Sequence, residues 1–211
     1  MHAYPETLLS DVRSQMADMI DYVVHDLKMD ADIFFPFFLA SDSCTQIERG
    51  DKTVILGISG IELAQRVITE KTSRTEFPRA RRIIKRTPEY WAGWIVASYQ
   101  WHSNRTFREI HTALPFTTLV QMYAVYHEAP EERFYDTADG LIAEKLPDTR
   151  LKRIRTAFGC SQSELAAASG IGLRSIQMYE QRRKNINRAA GETIRALARA
   201  LGCSVDDILE P

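Results

Sequence analysis

The chain has 211 residues, of which 45% are hydrophobic and 26% charged, and its formal net charge is −1. This composition is ordinary for a globular protein, and the length suits two domains. No apolar run approaches the roughly 18 residues that a membrane span needs, so we expect no transmembrane helix.

The amino terminus and the cysteines indicate the compartment. The opening segment MHAYPETLLSDVR has neither the basic nor the apolar region of a secretory signal. Cys44, Cys160 and Cys203 are an odd number at wide spacing, which favours reduced thiols over disulfides or a zinc site. We therefore expect a cytoplasmic protein.

Residues 1–147 are predicted to form a mostly helical domain, because their apolar residues recur at helical spacing. In chain order, helices are predicted at 9–27, 60–69 and 88–103, after Pro115 and after Pro130. Pro36 is expected to start or break a helix in the apolar segment FFPFF. The only candidate strand is the short run from Thr53 to Leu56.

Two features of this domain leave alternatives open. The basic run from Arg79 to Arg86 is either a solvated helix face, with Ile83 and Ile84 turned inward, or a second phosphate-contacting patch. The Trp and Tyr residues between 90 and 101 are either core or the lining of a ligand pocket.

A boundary is predicted at Leu146-Pro147-Asp148, because proline biases the preceding residue away from helix. The charge also changes there. Residues 148–211 carry a net charge of +4, whereas residues 1–147 carry −5. A basic module on an acidic body suggests that one end of the chain approaches a polyanion.

Residues 148–211 are predicted to form five helices, three of which end at a glycine. In chain order the signals are the stripe Leu151, Ile154 and Phe158 closed by Gly159; the Ser161–Glu164 capping box closed by Gly170; a helix opening at Gly172; the stripe Ile194, Leu197, Ala198 and Leu201 closed by Gly202; and a last start at Ser204 and Asp207. The predicted fold class is therefore all-α, with a helical domain followed by a five-helix domain.

The helix that opens at Gly172 is predicted to have two unlike faces. Ile176 and Tyr179 point one way. The polar residues Arg174, Gln177 and Gln181 share the opposite face with Met178. The basic run Arg182, Arg183 and Lys184 follows at once. An Arg/Gln face next to clustered cations is what major-groove readout and phosphate anchoring require.

This pattern resembles the lambda-repressor-like, Cro/C1-type helix-turn-helix family, also called XRE. The resemblance rests on Gln162 to Ala166, on the Ser169-Gly170-Ile171 turn, on Ile176 with Tyr179-Glu180, and on the closing IRALARALGCSVDDIL. It implies a helix opening at Gly172 in the major groove, with base-edge readers at Leu173, Arg174, Gln177 and Met178. It also implies phosphate contacts at Gln162, Arg182, Arg183, Lys184 and Asn187, and makes Gln162 a brace for the reader helix.

The chain departs from the family at Gly172, where a small hydroxyl residue usually caps the helix. Leu173 and Met178 have no hydrogen bond to offer a base, which leaves Arg174 as the main polar reader. Upstream, the IERG…ISGIELAQ and YWAGW…YQW segments resemble an uncharacterised module that precedes such domains in bacterial regulators; this gives no activity.

The leading hypothesis is a transcription regulator of a bacterium or phage, and specifically a repressor that binds double-stranded DNA as a homodimer. The alternative is an antitoxin-type protein, whose larger acidic domain binds a toxin while the basic module autoregulates the operon. The histidines lack metal-ligand spacing, and no nucleotide-binding or hydrolase motif occurs. We therefore expect no metal, no cofactor and no enzymatic activity.

Overall fold

The computed structural model describes residues 3–81 and 85–210. Within these ranges the chain is all-α, as predicted, and contains no β-strand. The helices are α1 (Leu9–His25), α2 (Ala31–Leu39), α3 (Asp42–Glu48), α4 (Lys52–Ile55), α5 (Gly60–Thr72), α6 (Pro88–Ser103), α7 (Phe107–Ala113), α8 (Phe116–Tyr126), α9 (Glu131–Lys145), α10 (Arg150–Phe158), α11 (Gln162–Ser169), α12 (Leu173–Glu180), α13 (Gly191–Leu201) and α14 (Val205–Ile208), with short 3-10 helices at Glu6–Leu8 and Ile186–Arg188. None of the described helices is long and apolar enough to cross a membrane.

The chain divides into two compact units. The amino-terminal unit contains the described residues up to 102 and residues 106–145. The carboxy-terminal unit contains residues 103–105 and the described residues from 146 onward.

Helix α1 is the centre of the amino-terminal unit. Its residues Val12, Met16, Ile20 and Val23 are fully buried. Helix α5 packs along it through an apolar stripe of its own. An amphipathic stripe on each helix explains the pairing, because burying both stripes removes apolar surface from water.

Two glycines let neighbouring helices approach α1 closely. A Cβ added at Gly60, the first residue of α5, would lie 2.1 Å from the carbonyl oxygen of Gln15. A Cβ at Gly93, inside α6, would lie 2.4 Å from the carbonyl oxygen of Met16 and 2.9 Å from the Cα of Ala17. Both distances are far below van der Waals contact, so α1 excludes any larger residue at these two positions.

The apolar segment around Pro36 differs from its prediction. Pro36 neither starts nor breaks a helix but lies inside α2. The proline lacks the amide that would bond one turn back. Phe34, Phe35 and Phe38 are fully buried around it, and Phe35 and Phe38 contact Phe107 and other rings from neighbouring helices. Burial of three phenylalanines outweighs the lost hydrogen bond.

The strand predicted from Thr53 to Leu56 is wrong. Residues Lys52–Ile55 form the short helix α4. The Asp51 carboxylate accepts a hydrogen bond from the Thr53 amide at 2.8 Å and thereby caps this helix. Val54 and Ile55 are buried, so the β-branched residues are held by packing and capping rather than by a partner strand.

The basic run from Arg79 to Arg86 is only partly described, because Arg82, Ile83 and Ile84 lie outside the described residues. Arg81 donates to the buried carboxylate of Asp21 at 2.7 Å. Its amide donates to Asp26 at 2.9 Å. Arg81 is therefore bonded within its own unit.

Asp32 links three helices of the amino-terminal unit. From α2, its carboxylate accepts hydrogen bonds from the amides of Phe116 and Thr117 at 2.6 and 2.9 Å, which caps α8. It also contacts the His111 ring of α7 at 2.9 Å. Partial burial alone would raise the pKa of Asp32, but the hydrogen bonds from Thr117, Phe116 and His111 lower it overall.

The carboxy-terminal unit has the five predicted helices, α10 to α14. Gly159, Gly170 and Gly202 end α10, α11 and α13 in the left-handed conformation, with φ of 80°, 70° and 64°. The core is one cluster formed by Leu151, Leu165, Ile176, Tyr179, Ile186, Leu197, Ala198, Leu201 and Ile208. The predicted stripe of α13, Ile194, Leu197, Ala198 and Leu201, is buried. The predicted stripe of α10 is buried only in part: Leu151 lies in the core and Ile154 packs partly against it, but Phe158 is 60% exposed, so its prediction as a stripe residue is wrong.

We expect Gly93→Ala to destabilise the amino-terminal unit by at least about 2 kcal/mol, because the added Cβ meets backbone rather than a movable side chain. Gly140→Ala is the matched control, since Gly140 also lies inside a helix and has nothing within 4 Å of an added Cβ. The control should be neutral or stabilising by up to about 1 kcal/mol. Urea unfolding followed by tryptophan fluorescence measures both variants, and equal midpoints would contradict this packing.

We expect the contribution of Asp32 to stability to depend on pH. A lowered pKa in the folded state stabilises the fold above the unfolded value of about 3.9, and this stabilisation is lost as pH falls through the folded pKa. Asp32→Asn should therefore lower stability by about 1–2 kcal/mol near neutral pH, after allowance for solvent screening, and by much less below about pH 3.

Urea unfolding at several pH values measures this difference. Asp42→Asn is the control, because the Asp42 side chain is exposed and makes no hydrogen bond with any residue of the described ranges. A difference between wild type and Asp32→Asn that stayed constant from pH 7 to pH 3 would contradict the role of the carboxylate.

Candidate nucleic-acid interface

Helices α11 and α12 form a hairpin whose turn is set by local chemistry. Ser161 and Glu164 form the predicted capping box: the Glu164 amide donates to the Ser161 hydroxyl at 3.2 Å, and the Ser161 amide donates to the Glu164 carboxylate at 2.7 Å. Gly170 ends α11 with φ of 70°. Gly172 begins α12 without a side-chain cap, as predicted from the residue type.

The inner face of α12 anchors the helix. Ile176 is fully buried and Tyr179 is 4% exposed. Both lie in the core cluster beside Leu165 of α11. The orientation of α12 is therefore fixed by apolar packing on one side, which leaves the other side available.

The outer face of α12 carries the predicted base readers. Arg174 is exposed, Leu173 is 40% exposed, and Gln177 and Met178 are half-buried. The side chains of Arg174 and Gln177 make no hydrogen bond or ion pair with any residue in the described parts of the chain. Their five and two N–H donors respectively are thus available to an external acceptor.

Gln162 lies in the first turn of α11 and contacts the end of α12. Its Nε2 atom donates to Oε2 of Glu180 at 2.7 Å. This bond supports the predicted bracing of the reader helix. The side chain is half-buried.

Glu180 also pairs with Arg155 of α10 in a two-pronged arrangement. Arg155 Nε lies 2.6 Å from Oε1 and Nη2 lies 2.9 Å from Oε2. The third nitrogen, Nη1, donates to the carbonyl of Cys160 at 2.7 Å. The Glu180 side chain is 1% exposed. Its hydrogen bonds raise the pKa of Arg155, so the guanidinium stays protonated.

Sequence reasoning did not find this network. The available signals were an arginine off the apolar stripe of α10 and a glutamate directly after the buried Tyr179. Neither signal pairs the two residues, which are 25 positions apart.

The segment after α12 is folded against the carboxy-terminal end of the unit. Arg182 has φ of 57° and donates to Glu210 at 3.1 Å and to the carbonyl of Pro147 at 3.2 Å. Asn187 exchanges two hydrogen bonds with the backbone of Glu210, at 2.8 and 2.9 Å. These two predicted phosphate contacts are therefore bonded internally in this structure.

Arg183 and Lys184 are the other two basic residues of the segment. Arg183 is exposed. Lys184 is half-buried, with its Nζ atom 5.1 Å from the ring centre of Tyr179. A cation over a ring face remains able to bind an anion on its outer side. Positive charge thus lies beside the outer face of α12.

We expect Glu180→Ala to destabilise the carboxy-terminal unit by about 3 kcal/mol or more, because it leaves the Arg155 charge poorly solvated and unpaired. Lys152→Ala is the control: it breaks an ion pair with Asp148 whose side chains are 42% and 54% exposed. The control should lose less than about 1 kcal/mol. Amide hydrogen exchange across residues 151–208 measures the opening free energy of each variant, and equal losses would contradict the role of the buried pair.

Comparison with known proteins identifies part of the chain. Residues 151–208 match the family model described as helix-turn-helix. The match spans α10 to α14, from the start of the apolar stripe of α10 to the end of α14. No curated protein and no solved structure matches the chain.

Proposed function

Because residues 151–208 are a lambda-repressor-like, XRE-type helix-turn-helix domain, we propose that the protein is a sequence-specific DNA-binding regulator that acts as a repressor in the cytoplasm. One observation carries the proposal. The outer face of α12 presents Arg174 and Gln177 without partners in the described chain, on a helix whose inner face is locked by Ile176 and Tyr179.

Helix α12 is proposed to lie in the major groove. The guanidinium of Arg174 matches the paired acceptors of guanine, and the amide of Gln177 matches the acceptor and donor of adenine. Leu173 and Met178 supply apolar contact for thymine methyl groups. The uncapped first turn of α12 at Gly172 supports the docking, because an uncapped helix start attracts a phosphate oxygen.

Backbone contacts are proposed for Arg183 and Lys184, and for Gln162 through the Nε2 hydrogen that does not bond Glu180. The exposure of Arg183 and the outer side of Lys184 support this role. A phosphate contact by Arg182 or Asn187 would require exchange of their bonds to Glu210. We therefore propose that these two residues mainly position the segment that carries Arg183 and Lys184.

We further propose that the protein binds DNA as a homodimer. A two-fold pair of reader helices would lie about 34–36 Å apart and match half-sites separated by one helical turn. Binding across a promoter would then block transcription by occupancy alone.

The test begins by selecting bound duplexes from a random library with the full chain. We expect Arg174→Ala to weaken binding to the selected duplex by about 1–3 kcal/mol and to relax its specificity, because the lost contact is to a base edge. Fluorescence anisotropy against the selected and a scrambled duplex measures both effects at one fixed salt concentration.

Arg199→Ala is the matched control, since Arg199 is an exposed arginine on α13 outside the proposed interface. It removes the same charge and should weaken both duplexes slightly and equally. An Arg174→Ala variant that lost equal affinity for the selected and scrambled duplexes would contradict base reading. If no sequence were enriched from the library, the proposal of a sequence-specific regulator would be wrong.

The antitoxin-type role is the competing assignment, in which the amino-terminal unit binds a toxin. Purification of the full chain from its native host distinguishes the two roles. A repressor acting by itself is recovered as a homo-oligomer, with or without DNA. An antitoxin is recovered with a second small protein in fixed proportion.

A further inference from the structure

The amino-terminal unit contains a cavity of about 420 Å³ beside α6 and the α8–α9 turn. Its walls are mainly aromatic: Tyr90, Trp91 and Trp94 come from α6, and Tyr123 and Tyr126 from α8. A volume of this size suits a small organic molecule. The helical spacing of these rings alone did not decide between core and pocket.

The aromatic wall is anchored in the core on one side only. Trp91 is buried, and its ring meets Tyr123 edge to face at 5.8 Å and Phe134 at 5.9 Å. In contrast, Tyr90, Trp94 and Tyr126 are only half-buried. The core holds these rings in place on one side, and their other side stays accessible. They therefore form a preorganised wall for a flat apolar group.

Two charged side chains, Arg86 and Glu131, line the cavity. Among the described residues, Glu131 is the only carboxylate in the lining. Its charge is offset by Arg13 at 2.7 Å, and it also accepts a hydrogen bond from the Tyr135 hydroxyl. Arg86 lines the same cavity, and no carboxylate of the described chain lies within ion-pair distance of it. The lining thus offers an uncompensated guanidinium.

The same geometry argues against a cationic ligand. Guanidinium groups of this chain already lie over three of the rings: Arg13 is 4.5 Å from the centre of Trp94, Arg86 is 5.3 Å from Tyr90, and Arg133 is 5.9 Å from Tyr126. An incoming cation would meet these charges at the surfaces that would otherwise attract it.

We propose that this cavity binds a small planar aromatic anion. Its ring system packs against the accessible side of the aromatic wall, and its carboxylate pairs with Arg86, whose planar fork matches a carboxylate. The site goes beyond the proposed DNA binding and does not depend on it, because all of its residues belong to the amino-terminal unit.

The test compares two probes of one shape on the full chain, 2-naphthoate and its neutral amide 2-naphthamide, by isothermal titration calorimetry and ligand-observed NMR. We expect naphthoate to bind roughly tenfold more tightly, because one charge-assisted contact separates the two probes. Arg86→Gln should remove this preference. Arg133→Gln, which removes a ring-stacked arginine outside the lining, should retain it.

Three outcomes overturn the proposal: equal affinity for the two probes, an unchanged preference in Arg86→Gln, or no binding of naphthoate at millimolar concentration. Tighter binding of a naphthyl trimethylammonium probe than of naphthoate would show that the cavity is a cation site and not an anion site. Arg86 is exposed, so its replacement leaves the fold intact, and thermal melts of both variants verify this.

Discussion

The arrangement of helices in the carboxy-terminal unit depends on the hydrogen bonds and the ion pair of the Glu180 carboxylate. This carboxylate is almost fully buried at the end of α12. Two nitrogens of Arg155 from α10 donate hydrogen bonds to it, and Gln162 from α11 donates a third. A buried carboxylate is unfavourable unless its lone pairs are satisfied. Burial of this charge therefore obliges three helices to keep one relative arrangement.

This arrangement anchors one side of α12 and leaves the other side available for binding. The apolar side of the helix and its last residue hold it in place, whereas the side chains of Arg174 and Gln177 make no hydrogen bond or ion pair within the described chain. The proposed DNA binding would benefit from this arrangement, because a helix that is already ordered loses little conformational entropy on binding. The amino-terminal unit obtains its rigidity differently, from backbone contact at Gly60 and Gly93.

Features encoded over a few neighbouring residues were predictable from the sequence. The Ser161–Glu164 box, the glycine ends at Gly159, Gly170 and Gly202, and the two faces of α12 all follow from spacing and residue type. Features decided by distant partners were not. Asp51 capping and buried packing turned the expected strand at residues 53–56 into a helix, and burial kept Pro36 inside α2. The bonds of Arg155 and Arg182 join residues 25 and 28 positions apart, and no local pattern pairs them.

The lack of hydrogen bonds from Arg174 and Gln177 to the rest of the described domain also bears on how such a protein diversifies. Exchanging either side chain breaks no hydrogen bond within the described residues, and Arg174 is exposed, so the fold tolerates many residues at position 174. If Arg174 and Gln177 read bases as proposed, new target sequences are accessible through single substitutions, without compensating changes in the scaffold. Under the proposed function, duplicated copies of this gene would diverge in the DNA they bind while keeping their stability.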